Sequence, residues 1–201
     1  MSGQHLVPDA MVSVARERRL LLGITGGPGS GKSTFAARMV GELAEKGVAA
    51  VAVPMDGFHL PQADLDSLGL ADIKGAPSTF DRGALEALLD ELREPNSTVH
   101  APSYSRELHA VVPDAITVTS DTRIVLVEGN YLGFWPSVRD KFDEVWKLEV
   151  PWEIARERLI ARRIATGRDF DEAVAWVDRV DAANALLVLD SPADRVINDA
   201  G

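Results

Sequence analysis

The chain alternates short, unbroken apolar runs with longer stretches in which apolar residues recur every three or four positions. "LLLGIT" at 20–25 is too short and too continuous for an amphipathic helix and predicts a buried parallel strand. Phe35, Met39 and Leu43 follow at four-residue spacing, which predicts a helix, and Gly47 is placed to end it. "VAAVAVPMD" at 48–56 predicts a second buried strand ending in an acid. Pro61, Gly69, Gly75 and Pro77 break up residues 60–80 into irregular cover or a short helix. Leu85, Leu88, Leu89 and Leu92 place a helix on 82–94. The polar, aromatic stretch at about 98–119, with two prolines, predicts a small hairpin excursion. "RIVLVEGNY" and "EVWKLEV" predict a third and a fourth strand, and "RVIND" a short fifth. "PWEIARERLIARRIAT" opens with Pro in the first turn and predicts a helix with a basic face, with Ile154, Leu159 and Ile164 inward. A helical pattern also covers residues 1–19, as a helix or extension, and 171–189.

Strands alternating with helices predict an α/β fold on a parallel sheet. At 201 residues the chain suits one domain, 1–201, with room for a small lid. Hydrophobic residues make up 46%, enough to bury a sizeable core. No apolar run approaches the length of a membrane span, and the N-terminus lacks the pattern of a secretory signal. Cysteine is absent, which excludes disulfides and thiol catalysis and fits a cytoplasmic setting. A net charge of −10 argues against a nucleic-acid partner. Five arginines nonetheless gather in one segment, Arg156, Arg158, Arg162, Arg163 and Arg168, as an anionic small-molecule ligand would require. Oligomeric state is not written in the chain; a homodimer is the commonest form of homo-oligomer.

The most specific chemistry lies where the first strand meets the first long helix. Gly26-x4-Gly31-Lys32-Ser33 matches G-x-x-x-x-G-K-[ST], a phosphate-cradling loop. Gly26, Gly27, Gly29, Ser30 and Gly31 let the backbone wrap an anion with its N–H groups turned inward. The positive end of the following helix faces the same anion. Lys32 can reach the β- and γ-phosphates of ATP, Ser33 can ligate Mg²⁺, and Thr34 can support a phosphate. Ligands of open α/β sheets sit beyond the carboxyl ends of the strands, where Asp56 and Glu128 are expected. An acid there can hold Mg²⁺ or accept the proton of an attacking hydroxyl.

"GGPGSGKST", "VPMDGFHL" and "VLVEGNYL", in this order, resemble the kinase family that contains uridine kinase, phosphoribulokinase and bacterial pantothenate kinase. The series "MDGFHL…KGAPSTFD…APSYSR" is similar to bacterial nucleoside/nucleotide kinase-like and fructose-transport-system kinase-like proteins, and the likeness spans most of residues 20–189. The resemblance implies a P-loop NTPase fold: three layers, α/β/α, on a five-stranded parallel sheet, with a small lid at about 156–170. It also implies transfer of the γ-phosphate of MgATP to a small-molecule hydroxyl. Asp56 would then be the base, and Glu128, with Ser33 and Asp56, would belong to the metal site. Lys32, Arg158 and Arg162 would stabilise the transferring group, with Arg163 next. Phe58, His59, Tyr104, Arg106, Asn130 and Tyr131 would face the acceptor, with Lys74, His100 and His109 in neighbouring loops. "RLIARRIATGRD" is more compact than the longer basic lid of uridine kinases, which counts against uridine as acceptor. Two other classes stay open: a P-loop ATPase and a nucleotide-binding regulator. A guanine-specific switch is disfavoured because N-K-x-D is absent.

Overall fold

The computed structural model describes residues 6–94, 97–105, 107–108 and 110–198. Arg106, His109 and His5 therefore lie outside the described residues. Five parallel strands form the central sheet: β1 (Leu20–Gly26), β2 (Ala50–Pro54), β5 (Ile124–Glu128), β6 (Glu144–Glu149) and β7 (Arg195–Asn198), in the order β2-β5-β1-β6-β7. The excursion forms a separate antiparallel hairpin of β3 (Val99–Ser105) and β4 (Ala110–Val118). Each strand of the sheet returns through helical cover, as parallel pairing requires.

Why the strands read as unbroken apolar runs is visible in their two faces. Leu21, Val125, Val127 and Val145 point to one side, where α4 (Arg82–Arg93), the hairpin and Trp135 cover them. Leu20, Leu22, Ile24, Ile124 and Leu126 point to the other, under α1 (Asp9–Glu17) and α2 (Lys32–Glu45). A strand buried on both faces has no polar alternation to show. A third, smaller cluster joins Leu159 and Ile160 of α6 (Trp152–Ala165) to Ala173 of α7 (Phe170–Trp176) and to Val177.

Three expectations change. The strand at 48–56 is shorter and less buried than its apolar pattern suggests: β2 is an edge strand paired only with β5, and Val53 alone within it is fully buried. It stops at Pro54, and Asp56 sits in a 3₁₀ turn, Met55–Phe58. Ile164 is exposed, and Ile160 takes the inward place beside Leu159. The helical stretch 170–189 is interrupted by a π-helical turn, Val177–Asp181, between α7 and α8 (Ala182–Leu189). The rest of the cover is α3 (Gln62–Leu68) and α5 (Pro136–Arg139). Among the described residues no helix is long and apolar enough to cross a membrane.

Strand register sets the position of the acids. Glu128 pairs with Ile24 of β1 on one side and with Pro54 of β2 on the other, so it stands at the carboxyl edge between them. Asp56 follows Pro54 by two residues along the same edge. Leu89 is fully buried where α4 meets the sheet. Leu89→Ala is expected to cost about 2–5 kcal/mol. Urea denaturation should show a lower midpoint at unchanged slope.

Candidate active site

β1 ends at Gly26, and α2 begins at Lys32 with Gly31 in a left-handed conformation (φ 91°) as its N-cap. The segment between them is pressed from outside by α6. Gly29 has φ 78°, and a Cβ there would lie 2.7 Å from the Ala155 carbonyl oxygen. Only glycine satisfies both the backbone angle and the close approach.

Lys32 is buried, and its ammonium is folded into its own loop. Nζ donates to the carbonyls of Gly26 (3.1 Å) and Gly27 (2.8 Å) and lies 3.4 Å from Ser30 Oγ. Burial pulls its pKa down to about 8, and Arg162 adds to the lowering. The charges of Glu128 and Asp56 act in the opposite direction. One residue on, Ser33 Oγ donates to Glu128 Oε1 at 2.7 Å. Among the described residues no group of three or more His, Cys, Asp or Glu side chains forms a ready-made metal cage. A hydroxyl beside one carboxylate is instead the sparse, hard-oxygen set that suits Mg²⁺ completed by water and phosphate oxygens.

A polar cavity of about 260 Å³ opens in front of this loop. Lys32, Ser33, Asp56 and Glu128 all line it. The Asp56 turn is held by the hairpin: a Cβ on Gly57 would lie 2.5 Å from the Pro102 carbonyl oxygen. His59, Tyr104, Asn130 and Lys74 line the rest of the cavity, together with Arg162 and Arg163 from α6. His59 stacks on Phe80 at 4.0 Å between centroids and meets Tyr104 edge-on at 5.5 Å. Burial lowers the His59 pKa more than Asp56 raises it, which favours the neutral imidazole. A larger cavity of about 650 Å³ lies against Gly26, Gly27 and Pro28, walled by Trp152 and by Ala182, Ala185 and Leu186 of α8. It is mostly apolar, and the acid and base in its lining, Glu149 and Lys147, are paired with each other at 2.8 Å.

A model of the phosphoribulokinase/uridine kinase family matches residues 21–185, a span that holds the loop, both acids and the basic helix. The chain belongs to that family. YggC of Escherichia coli K12, an uncharacterized protein, is 36% identical over 190 residues, covering 90% of this chain and 77% of YggC. A Schizosaccharomyces pombe protein provisionally named uridine kinase C227.14 is 31% identical over 200 residues, covering 93% of this chain and 85% of its own. The crystal structure of a Silicibacter protein, provisionally named a fructose transport system kinase, superposes with a TM-score of 0.84 at 32% identity. That match covers 93% of this chain and 98% of the other.

Within this kinase-family chain, the residues singled out from sequence do not all reach one place. Lys32, Ser33, Asp56, His59, Tyr104, Glu128, Asn130 and Arg162 converge on the polar cavity. Arg158 does not line it; its guanidinium lies 3.8 Å from where a Gly31 Cβ would be, beside the loop itself. Thr34 is exposed in the first turn of α2. Phe58 and Tyr131 are core residues instead, 5% and 0% exposed. The apolar positions flanking each acid turn inward to anchor it, and the Tyr131 hydroxyl is spent on the Gly75 carbonyl at 2.6 Å. His100 is exposed near the open end of the hairpin, facing Thr117.

The basic helix is also divided. Arg156 is engaged by Asp178 through two hydrogen bonds of 2.6 and 2.8 Å. Arg163 lies over the Trp176 ring at 4.6 Å and faces Asp181 at 3.6 Å, too long for a hydrogen bond. Asp181 and Asn184 line the cavity and were not singled out from sequence. Their signal is faint: Asp181 precedes, and Asn184 interrupts, an otherwise apolar "AANALLVL" stretch. The π-helical turn that carries Asp181 is a feature often found at functional sites.

Because the folded Lys32 pKa of about 8 lies below the ordinary 10.5, the unfolded chain holds more protons between those values. Without nucleotide, stability should therefore rise with pH across that window relative to Lys32→Met, and the difference should stay flat below it. Urea midpoints of the two proteins from pH 7 to 10.5 check this.

Proposed function

We propose that this chain is an ATP-dependent small-molecule kinase that transfers the γ-phosphate of MgATP to an acceptor hydroxyl. The observation that carries the reading is the shared cavity: a phosphate-loop lysine, a Ser33–Glu128 oxygen pair, Asp56 and Arg162 all face one small space. An ATPase or a passive nucleotide binder has no need of an acceptor-sized compartment that carries a second strand-end carboxylate, Asp56, besides Glu128.

The triphosphate would lie on the backbone N–H groups of residues 26–34, with the N-terminus of α2 and Lys32 supplying positive charge. The apolar cavity beside Gly27 and Pro28 would take the base. Ser33 and Glu128 would hold Mg²⁺, which when bound offsets charge on the β- and γ-phosphate oxygens. Asp56 aligns the acceptor hydroxyl and accepts its proton as the oxygen attacks the γ-phosphorus. The bond from that phosphorus to the bridging oxygen breaks, ADP leaves with the electron pair, and the products are a phosphate monoester, ADP and one proton. Arg162 from α6 offsets the charge spread over the transferring group, with Arg158 beside the loop. Residues 156–170 serve as the lid and the hairpin covers the acceptor. Water exclusion by these two elements would suppress hydrolysis of ATP.

A metabolite panel scored for ATP-dependent phosphorylation identifies the acceptor class. ADP release that needs no acceptor would support the ATPase reading instead. Lys32→Ala is expected to abolish turnover. Asp56→Asn should lower kcat about 10²–10⁴-fold while leaving nucleotide affinity, read by calorimetry, close to that of the unmodified protein. Full activity in that variant removes Asp56 from the base role.

A further inference from the structure

Two arginine–aspartate pairs link α6 to the π-helical turn, and they are built differently. Arg156 and Arg163 stand seven residues apart on one face of α6. Asp178 and Asp181 stand three residues apart in the turn. The first pair is closed: Arg156 donates from Nε and Nη2 to the two carboxylate oxygens of Asp178, at 2.6 and 2.8 Å. The second is open: Arg163 Nε stops 3.6 Å from Asp181 Oδ2, beyond hydrogen-bond range. The difference follows the cavity. Arg163 and Asp181 line the polar cavity, and Arg156 and Asp178 do not.

The open pair is also withdrawn from water. Among the described residues four buried side-chain polar atoms lack a hydrogen-bond partner, and three of them meet here: Arg163 Nε, Asp181 Oδ2 and Trp176 Nε1. Unsatisfied buried groups are rare in folded proteins, so a cluster of them beside a cavity calls for a reason. The Asp181 side chain is 12% exposed and that of Arg163 26%. Burial raises the Asp181 pKa and lowers that of Arg163, each against the pull of the other's charge. Trp176 completes the cluster: the Arg163 guanidinium lies over its ring at 4.6 Å, and Arg179 approaches the same ring at 5.6 Å. A carboxylate lining a space that receives a triphosphate repels it unless a cation engages that carboxylate. Arg163 and then Arg162 supply that charge to Asp181. A closed bridge of the Arg156 kind would occupy Nε and one Nη of Arg163 on the protein itself. The stretched contact touches only the Nε side and keeps both Nη groups for a ligand.

Building on the kinase reading, we propose that Asp181 and Trp176 are positioning residues for Arg163: Trp176 supports the guanidinium face, Asp181 sets its Nε edge, and the two Nη groups donate to the γ-phosphate oxygens as charge spreads over them during transfer. The Arg156–Asp178 bridge anchors α6 on the turn, so the spacing of the two elements at the second pair is set before a ligand arrives. A long side chain free in solvent has to be ordered during transfer. An arginine held against a ring and a carboxylate is ordered in advance.

The test is steady-state kinetics with MgATP and an acceptor found in the metabolite panel. Arg163→Met should lower kcat about 10²–10³-fold. Asp181→Asn, which keeps the shape and removes the charge, should lower kcat about 10–100-fold and leave both KM values within about 3-fold. Trp176→Leu should lose more kcat than Trp176→Phe, which keeps a ring beneath the guanidinium. The double variant of Arg163→Met with Asp181→Asn should be no slower than Arg163→Met alone, because Asp181 acts through Arg163. An unaltered kcat in Asp181→Asn, a raised acceptor KM at unaltered kcat, or losses that multiply in the double variant would overturn the positioning role and leave the kinase reading standing. Should Asp181→Asn fail to fold, the Trp176 pair decides, and equal kcat in its leucine and phenylalanine variants overturns the role. If no acceptor is phosphorylated, the kinase reading loses its support, and calorimetry with Mg²⁺, ADP and aluminium fluoride, a mimic of the transferring phosphoryl group, decides. Weakening of the mimic by about 10-fold or more in Asp181→Asn, with ADP alone bound as before, upholds the positioning role. Equal weakening of both, or of neither, overturns it.

Discussion

The structure turns on one buried charge. The Lys32 ammonium is enclosed by the loop that precedes it, with the Gly26 and Gly27 carbonyls and Ser30 as its nearest polar partners. A cation in that setting is buried, with no contacting carboxylate among the described residues, and its lowered pKa reflects that burial. Glu128 and Asp56 ease it only through space. An anionic phosphate at the mouth of the loop would supply a counter-charge, so the same feature that burdens the loop by itself favours a ligand. The surroundings follow from this need. β1 brings the loop to the carboxyl edge of the sheet, α2 points its positive end at the same space, and α6 presses on Gly29 to hold the loop shut.

The loop divides two environments. On one side, acids from β5 and the Asp56 turn meet arginines from α6 across a small polar space; on the other lies a larger, mostly apolar cavity against α8. Chemistry that moves a phosphoryl group benefits from this separation, because charged groups gather where charge is transferred and apolar surface is kept for a part of the nucleotide that does not react. The hairpin borders the polar side, packed on the Asp56 turn by the Gly57–Pro102 approach, and α6 borders it too, tied to the π-helical turn by the Arg156–Asp178 bridge.

Sequence and structure agree most closely where the pattern is local. β1, the loop and α2 can be read directly, because an apolar run, glycines at fixed offsets and a four-residue repeat each carry their own signal. The strand-end acids were also legible, since parallel strands deliver their last residues to one edge. The strand order was not, because which parallel strands lie side by side depends on distant segments meeting. Tyr131 and Phe58 were misplaced for a related reason: a residue beside a catalytic motif can be there to anchor it, and only the packing tells which. Asp181 and Asn184 reach the cavity through a π-helical turn, which shifts register by a residue and defeats a 3.6-residue count. The exposed Ile164 shows the same limit, since an apolar residue past the end of a buried stripe finds nothing to pack against.

The most direct test of this account is a structure of the protein with Mg²⁺ and a non-hydrolysable ATP analogue. The account predicts that Lys32 Nζ leaves the Gly26 and Gly27 carbonyls for the β- and γ-phosphate oxygens, and that the Ser33–Glu128 hydrogen bond opens to admit the metal. A triphosphate bound away from residues 26–34, or a Lys32 still bonded to its own loop with the analogue in place, would contradict it.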